Sequence, residues 1–307
     1  MPGQLTLTAA DPVTPDPGVY TGVPWDEYAA WDCFSKSMVG ATLRSGLHLH
    51  DYIHGERRRA TGMAMGSLVD CLVLEPDLFD SRYIVQPEVY VTTISKGRGA
   101  DKVTEEVEKP WNGNATACRE FAADAVEQGL ELVSPADMAT AEAMRDAVLG
   151  NDQARRAIEA GEKQVSMVWR DEATGILCKG RADLVLPGCI VDLKTARDAS
   201  PDEFSRALAR FGYHVQGHAY CTAWEQLRGE PMGFSFIVVE NGDVPAVALY
   251  ELAPAALTIG GLVWRRALDR VAWWIINGVR GYGDDWQMVT VPAWVERAEM
   301  GNGKEGE

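Results

Sequence analysis

The sequence predicts one α/β domain with a helical N-terminal portion. Three observations carry this. Through about residue 160, apolar positions recur mostly at helical spacing. From residue 161 they switch to short β-prone runs separated by "EATG" and "PG". Two helices, two more strands and a long helix then follow, the order of a sheet covered by helices. A chain of 307 residues with 46% hydrophobic content can bury a sizeable core. The domain is expected over 18–295, with 18–160 mainly helical and 161–295 carrying the sheet.

Taken in order, residues 1–17 are rich in Pro, Thr and Asp and predict a flexible arm. "FSKSMVGATLRS" predicts a helix capped by Ser35, with Met38 and Leu43 inward. "MAMGSLVDCLVLE" is apolar almost all round, which predicts a buried helix whose only charge before Glu75 is Asp70. Residues 93–114 lack apolar periodicity and predict a mobile loop. Two helices follow. The second starts at Ser134 as N-cap and Pro135 in the first turn, and stops at Gly150. "KQVSMVWRD", "GILCKGRADLVL" and "CIVDLKTA" predict three strands. "SPDEFSRALARFG" and "YHVQGHAYCTAWEQL" predict helices, "GFSFIVVE" and "AVALYEL" strands, and "PAALTIGGLVWRRALDRVAWWIING" a closing helix. The polar tail, 296–307, predicts disorder.

Composition narrows the function. No run approaches the roughly 18 apolar residues of a membrane span, and the start lacks a basic-then-apolar leader. A cytoplasmic protein is expected. The six cysteines form no C-x-x-C pair, which argues against a zinc ribbon or iron–sulfur cluster and for free thiols. A net charge of −16 argues against nonspecific coating of nucleic acid. It leaves room for a local DNA-binding patch such as Arg57, Arg58 and Arg59, for which a solvated basic loop is the alternative. His50/His54 and His214/His218 are spaced i,i+4 but no further zinc ligand joins them. No P-loop or nucleophile elbow is present.

The chemistry concentrates in "GRADLVLPGCIVDLKTARDAS", residues 180–200. A two-residue turn at Pro187-Gly188 pairs Leu186 with Cys189. It then sets Asp183 opposite Asp192 and Arg181 opposite Lys194, with Cβ atoms about 5 Å apart. Alternation puts Asp192 and Lys194 on one face. Two carboxylates so close repel each other, and one holds a proton unless a cation intervenes. Mg²⁺ or Mn²⁺ suits oxygen donors of this kind. The alternative is a pair of structural salt bridges, Asp183–Arg181 and Asp192–Lys194. Gln216 and Tyr220 lie at i and i+4 on one helix face, where they could touch a phosphate, a base or the lysine.

This ordered set resembles the PD-(D/E)xK nuclease superfamily in its RecB-type branch: Asp183, then "VDLK" with Asp192 and Lys194, then "QGHAY" with Gln216 and Tyr220. The surrounding wording, from about Ser35 to about Leu252, resembles the RecE-like exonucleases (exodeoxyribonuclease VIII) of phages and prophages. The resemblance implies a restriction-endonuclease-like core, a mixed central sheet flanked by helices. It implies that Asp183, Asp192 and the Leu193 carbonyl bind Mg²⁺ or Mn²⁺, and that Lys194 is the catalytic lysine. Gln216 and Tyr220 become an accessory motif that organises the site and contacts DNA. Relatives generally carry a histidine where this chain has Asp70 in "GSLVD", so Asp70 is expected as a further metal ligand, with a helix-surface acid as the alternative. Arg181 and His214 are expected to contact DNA. The expected activity is 5′→3′ degradation of linear double-stranded DNA from its ends, exposing 3′ single strands for phage recombination. The expected partners are further copies of the chain and a RecT-like single-strand annealing protein. A CRISPR-type adaptation nuclease fits less well, since its usual four cluster cysteines are missing. A catalytically weak or dead DNA-end-binding module that recruits the annealing protein is the rival from another class.

Overall fold

The computed structural model describes residues 15–55, 61–96, 103–282 and 285–301. The expected arm therefore enters it only from Pro15, and Arg57, Arg58 and Arg59 lie outside the described residues. In chain order the elements are β1 (Gly18–Tyr20), α1 (Trp25–Ala30), β2 (Phe34–Ser35), a 3₁₀ turn (Lys36–Met38), α2 (Val39–Arg44), α3 (Gly46–His54) and α4 (Thr61–Leu74). After a second 3₁₀ turn come α5 (Phe79–Arg82), β3 (Tyr83–Val85), β4 (Val89–Lys96), β5 (Val103–Pro110), α6 (Thr116–Glu127), β6 (Glu131–Val133), α7 (Pro135–Gly150) and α8 (Asp152–Ala160). The C-terminal half holds β7 (Glu162–Arg170), β8 (Leu177–Leu186), β9 (Cys189–Ala196), α9 (Pro201–Phe211), α10 (Tyr213–Arg228), β10 (Gly233–Glu240), β11 (Val247–Glu251), α11 (Pro254–Asn277) and α12 (Ala293–Gly301).

The central sheet runs β1-β7-β8-β9-β10-β11, with β2 added alongside β8. The β7–β8–β9 meander is antiparallel, β9 and β10 are parallel, and β10–β11 is an antiparallel hairpin. A parallel pair needs a long crossover, and α9 and α10 supply it. This is the mixed sheet flanked by helices that the sequence implies. Side-chain alternation gives each strand two apolar faces. On β9 and β10, Ile190, Phe234, Phe236 and Val238 pack with Phe34, Val215 and Leu268. Val191, Leu193, Ile237 and Val239 pack on the other side with Val69, Met144 and Ile158. Among the described residues, no helix is long and apolar enough to cross a membrane.

Four expectations are corrected. Residues 93–114 are not simply a loop: β4 and β5 form an eight-rung antiparallel ribbon from Val89↔Pro110 to Lys96↔Val103. On β4 side chains alternate between half-buried and exposed, and on β5 the described ones are exposed except Val107, so no buried core-facing period marks the ribbon; Lys96 pairs with Glu105 at 2.5 Å. Helix α8 was missed because only Ala154 and Ile158 are buried in it; Asn151 starts it by accepting from the Gln153 and Ala154 N–H groups. Part of the expected disordered tail, up to Gly301, is helical in α12. Ser35 stands where the cap was expected, but its hydroxyl meets Ser37 at 2.8 Å and caps nothing. Ser134 does cap α7, accepting from the Asp137 N–H at 3.0 Å.

The "TIGGLVW" glycines have a packing reason. A Cβ on Gly260 of α11 would sit 2.1 Å from the His214 carbonyl oxygen of α10. The obstacle is backbone and cannot swing aside, so the two helices meet this closely only through glycine. Gly260→Ala should lose about 1–3 kcal/mol in denaturant unfolding. Gly113→Ala, whose Cβ would meet nothing within 4 Å, should be near neutral. Equal stability of the two variants would refute the close helix contact.

Candidate active site

The strand register places the site. The β8–β9 ladder has the expected turn pairing, Leu186↔Cys189, and continues through Val185↔Ile190 to Leu184↔Val191. It stops there. The next residue, Asp183, instead uses its carboxylate: Oδ2 accepts the Leu193 N–H at 2.8 Å. The β7–β8 ladder lapses at the same point, passing from Lys163↔Leu184 to Val165↔Ala182. The skipped partner is Gln164, the one described non-glycine residue in the left-handed region, at φ 53°. Such backbone costs on the order of 1–3 kcal/mol and collects at functional sites. Asp183 thus sits where β8 has let go of both neighbours, in a fork of the sheet.

Three further elements converge on that fork. From β9, Asp192 is 1% exposed and its Oδ2 forms an ion pair with Lys194 Nζ. The same ammonium lies 3.5 Å from the Leu193 carbonyl oxygen. From α10, the Gln216 amide donates to Asp192 Oδ1 at 2.5 Å. Tyr220, one turn on, accepts the Arg181 backbone N–H at 3.3 Å. Its ring lies where a Cβ on Gly180 would be, 2.4 Å away, so glycine is required for the tyrosine to seat. From α4 comes Asp70, half-buried, within electrostatic reach of Asp183, Asp192 and Lys194.

The titration of these groups reports their crowding. Burial, then Asp192 and Asp70, hold the Asp183 carboxyl well above the usual range; Lys194 and the Leu193 N–H oppose this. Burial pushes Asp70 up to about 7, with Lys194 pulling it down and Asp192 and Glu75 pushing it further up. Burial alone would lower the Lys194 pKa, but Asp192, Asp183 and Asp70 together raise it. One ammonium therefore faces three carboxylates in a poorly hydrated fork. Asp192 Oδ2 is buried and receives no well-directed hydrogen bond, only the charge of Lys194. A set of carboxylate oxygens with a backbone carbonyl beside them is the donor chemistry of a hard divalent cation. Asp70, Asp183, Asp192 and the Leu193 carbonyl are donors of that type, by their chemistry rather than by a preformed arrangement. No group of three His, Cys, Asp or Glu side chains among the described residues is already in ligand geometry.

Not every expected residue joins the cluster. The Asp192–Lys194 pair of the salt-bridge alternative exists, but the Asp183–Arg181 pair is replaced. Arg181, 8% exposed, donates from Nε to Gln164 at 2.8 Å and from Nη1 to the Val23 carbonyl at 2.8 Å, with Glu75 at 3.9 Å. Neighbouring Lys179 donates to the carbonyls of Tyr28, Ala29 and Trp31 at the end of α1. Both cations thus fasten the N-terminal segment to β8, and Arg181 has little surface left for DNA. Opposition of Arg181 to Lys194 is also absent, because the ladder ends first. His214 lies two residues before Gln216, on another face of α10, and its Nδ1 meets the Leu208 carbonyl at 3.1 Å.

Two residues at the site's edge escaped the sequence reading. Lys36 donates to the Phe211 carbonyl at 2.8 Å, and burial with Lys194 nearby lowers its pKa to about 8 despite Asp192. Tyr213 lies beside both lysines, its ring centroid 5.3 Å from Lys36 Nζ and 5.2 Å from Lys194 Nζ. Lys36 stands 158 positions before Lys194 in the sequence, so only the β2–β8 pairing reveals it.

Comparison with known proteins bears on the fold and the family. A crystal structure named "Putative exonuclease" from Eubacterium rectale superposes with a TM-score of 0.57 over 90% of this chain and 98% of that one, at 17% identity. At that identity the likeness is one of fold. A structure named SSO0001 gives a TM-score of only 0.27, at 17% identity over 53% of this chain and 70% of that one, too little to carry an argument. No curated protein matches the chain. A family model matches residues 35–280, a span that includes all of the converging side chains, and the chain belongs to that family, the PDDEXK-like domain of unknown function (DUF3799).

Proposed function

We propose that this chain is a metal-dependent exodeoxyribonuclease of RecE-like type. It degrades linear double-stranded DNA from its ends, in the 5′→3′ direction, and exposes 3′ single strands for phage recombination. The observation that carries the hydrolytic part is the meeting of Asp70, Asp183 and Asp192 around Lys194 in a fork of the sheet. The exonuclease name of the Eubacterium rectale structure and the motif order in the sequence support the finer reading.

Asp70, Asp183, Asp192 and the Leu193 carbonyl would hold Mg²⁺ or Mn²⁺. Bound there, the cation supplies Lewis acidity toward the phosphate and a water of lowered pKa. Gln216 keeps the Asp192 carboxylate oriented, and the Leu193 N–H does the same for Asp183. Lys194, kept protonated by the surrounding acids, stabilises negative charge on the phosphate oxygens and positions the attacking water. Tyr220 braces β8 against α10 through the Arg181 N–H. Assembly of several copies around DNA, and hand-over of the single strand to a RecT-like annealing protein in the bacterial host cytoplasm, complete the proposal. An assembly of copies could combine an acidic exterior with a basic channel, reconciling the net charge of −16 with DNA binding.

Wild type should degrade linear duplex DNA with Mg²⁺ and not with EDTA, and Lys194→Ala should lose about 10²–10³-fold in rate while still binding ends. Binding without degradation by either protein would instead mark an end-binding module.

A second expectation concerns pH. Asp70 titrates near 7 in the folded protein against 3.8 ordinarily. Between those values the folded state holds a proton that the unfolded chain has released, so raising the pH through this window removes stability. Metal-free wild type should lose more melting temperature from pH 5 to pH 8 than Asp70→Asn does, and Mg²⁺ should restore it at pH 8. Parallel curves for the two proteins would show that burial and the neighbouring acids do not raise the Asp70 carboxyl.

A further inference from the structure

The end of α9 places an unused aromatic ring beside the catalytic cluster. Phe211 is 52% exposed, although the rings around it are mostly packed inward. Tyr213 lies 5.7 Å away, centroid to centroid, tilted by 32°, and Tyr213 itself touches Lys194 through its ring face. The Arg210 guanidinium lies 5.3 Å from the Phe211 centroid. The ring's backbone is fixed from two sides. Lys36 clamps the Phe211 carbonyl at 2.8 Å, and Gly212, at φ 67°, turns the chain sharply from α9 into α10. A large apolar ring half open to solvent, with one cation over it and a second on its own backbone carbonyl, packs against the ring of Tyr213 and is poorly explained by folding. Stacking on a nucleobase does explain it, because bases offer an apolar face and their phosphates seek the neighbouring ammonium and guanidinium.

We propose that Phe211 is a stacking platform for one nucleobase of the strand that Lys194 acts on, with Arg210 and Lys36 beside its phosphates. This rests on the nuclease reading above and deepens it. A base inside a duplex has its faces covered by its neighbours, so a free face requires an unstacked nucleotide. The substrate at this subsite is therefore a frayed or single-stranded DNA end, one ring contact beyond the reacting phosphate. Pure shape recognition of the double helix would leave Phe211 without a role.

The test uses the Lys194→Ala protein, so that DNA survives the measurement. Its affinity is measured for a duplex with a short single-stranded end, intact or with one base removed at each successive position. Removal at one position should weaken binding about tenfold, within the range a single base–aromatic stack supplies. Adding Phe211→Ala should weaken binding of intact DNA by a similar factor and erase the response to base removal; Phe211→Trp should retain both. The melting temperature of Phe211→Ala should match its parent, since the ring is half open to solvent. Unchanged affinity for intact DNA in Phe211→Ala, or a persisting response to base removal, overturns the platform while leaving the nuclease reading intact. If wild type degrades no DNA and the Lys194→Ala protein binds none, the nuclease reading fails and the platform with it.

Discussion

Three carboxylates crowd one ammonium at a place where the sheet comes apart, and the rest of the site follows from that conflict. Left to itself, a pair of adjacent strands would hydrogen-bond through this region and align Asp183 with Asp192. Instead both ladders of β8 lapse at Asp183. The Asp183 carboxylate takes over one backbone donor, and the strained Gln164 absorbs the mismatch on the other side. Opening the fork lets Asp70 approach from α4 and Gln216 from α10. The price is burial of like charges, visible in the raised pKa values of Asp70 and Asp183. A network so arranged is poor as a structural device, because replacing it with apolar side chains would remove the repulsion. It makes sense as a receptor for positive charge.

The scaffold answers that strain with rigidity around the fork. Lys179 and Arg181, on the same strand as Asp183, are consumed in fastening the chain between Val23 and Trp31. Tyr220 presses against Gly180, where no side chain fits. Gly260 then lets α11 lie against the backbone of α10, so the helix carrying Gln216 and Tyr220 is backed along its length. These contacts are cations bonded to carbonyls and close backbone approaches, which give little under load. A site that must hold repelling carboxylates at fixed separation needs such backing, since loose walls would relax the crowding by moving the acids apart.

Much of this was legible in the sequence, for identifiable reasons. The central strands announce themselves because both faces are buried, and the Pro187-Gly188 turn fixes the register that brings Asp183 near Asp192. Asp70 stood out as a lone charge in an apolar helix. The ribbon of β4 and β5 did not announce itself, because a ribbon without a core-facing side has no apolar alternation to read. Helix α8 did not stand out for a different reason: it has a core-facing side, but a short one made of Ala154 and Ile158 in an otherwise polar segment. The partners of Arg181 were not legible, because strand alternation cannot foresee that Gln164 and the Val23 carbonyl will take up its guanidinium. Lys36 and Tyr213 escaped because their relation to Lys194 is purely tertiary.

The aspartate at position 70 changes the electrostatic character of the fork. A neutral imidazole there, as the sequence's resemblance would lead one to expect, would leave two carboxylates against one ammonium. Asp70 makes it three. The added charge raises the repulsion in the metal-free protein and deepens the well for a divalent cation by the same interaction. It also replaces a nitrogen donor with oxygen, which favours Mg²⁺ over softer transition ions. The aspartate therefore ties the integrity of the fork to whatever supplies positive charge: Lys194 is the ammonium present, and it is paired with Asp192, so a hard cation shared by these carboxylates would relieve a repulsion that one lysine only partly offsets.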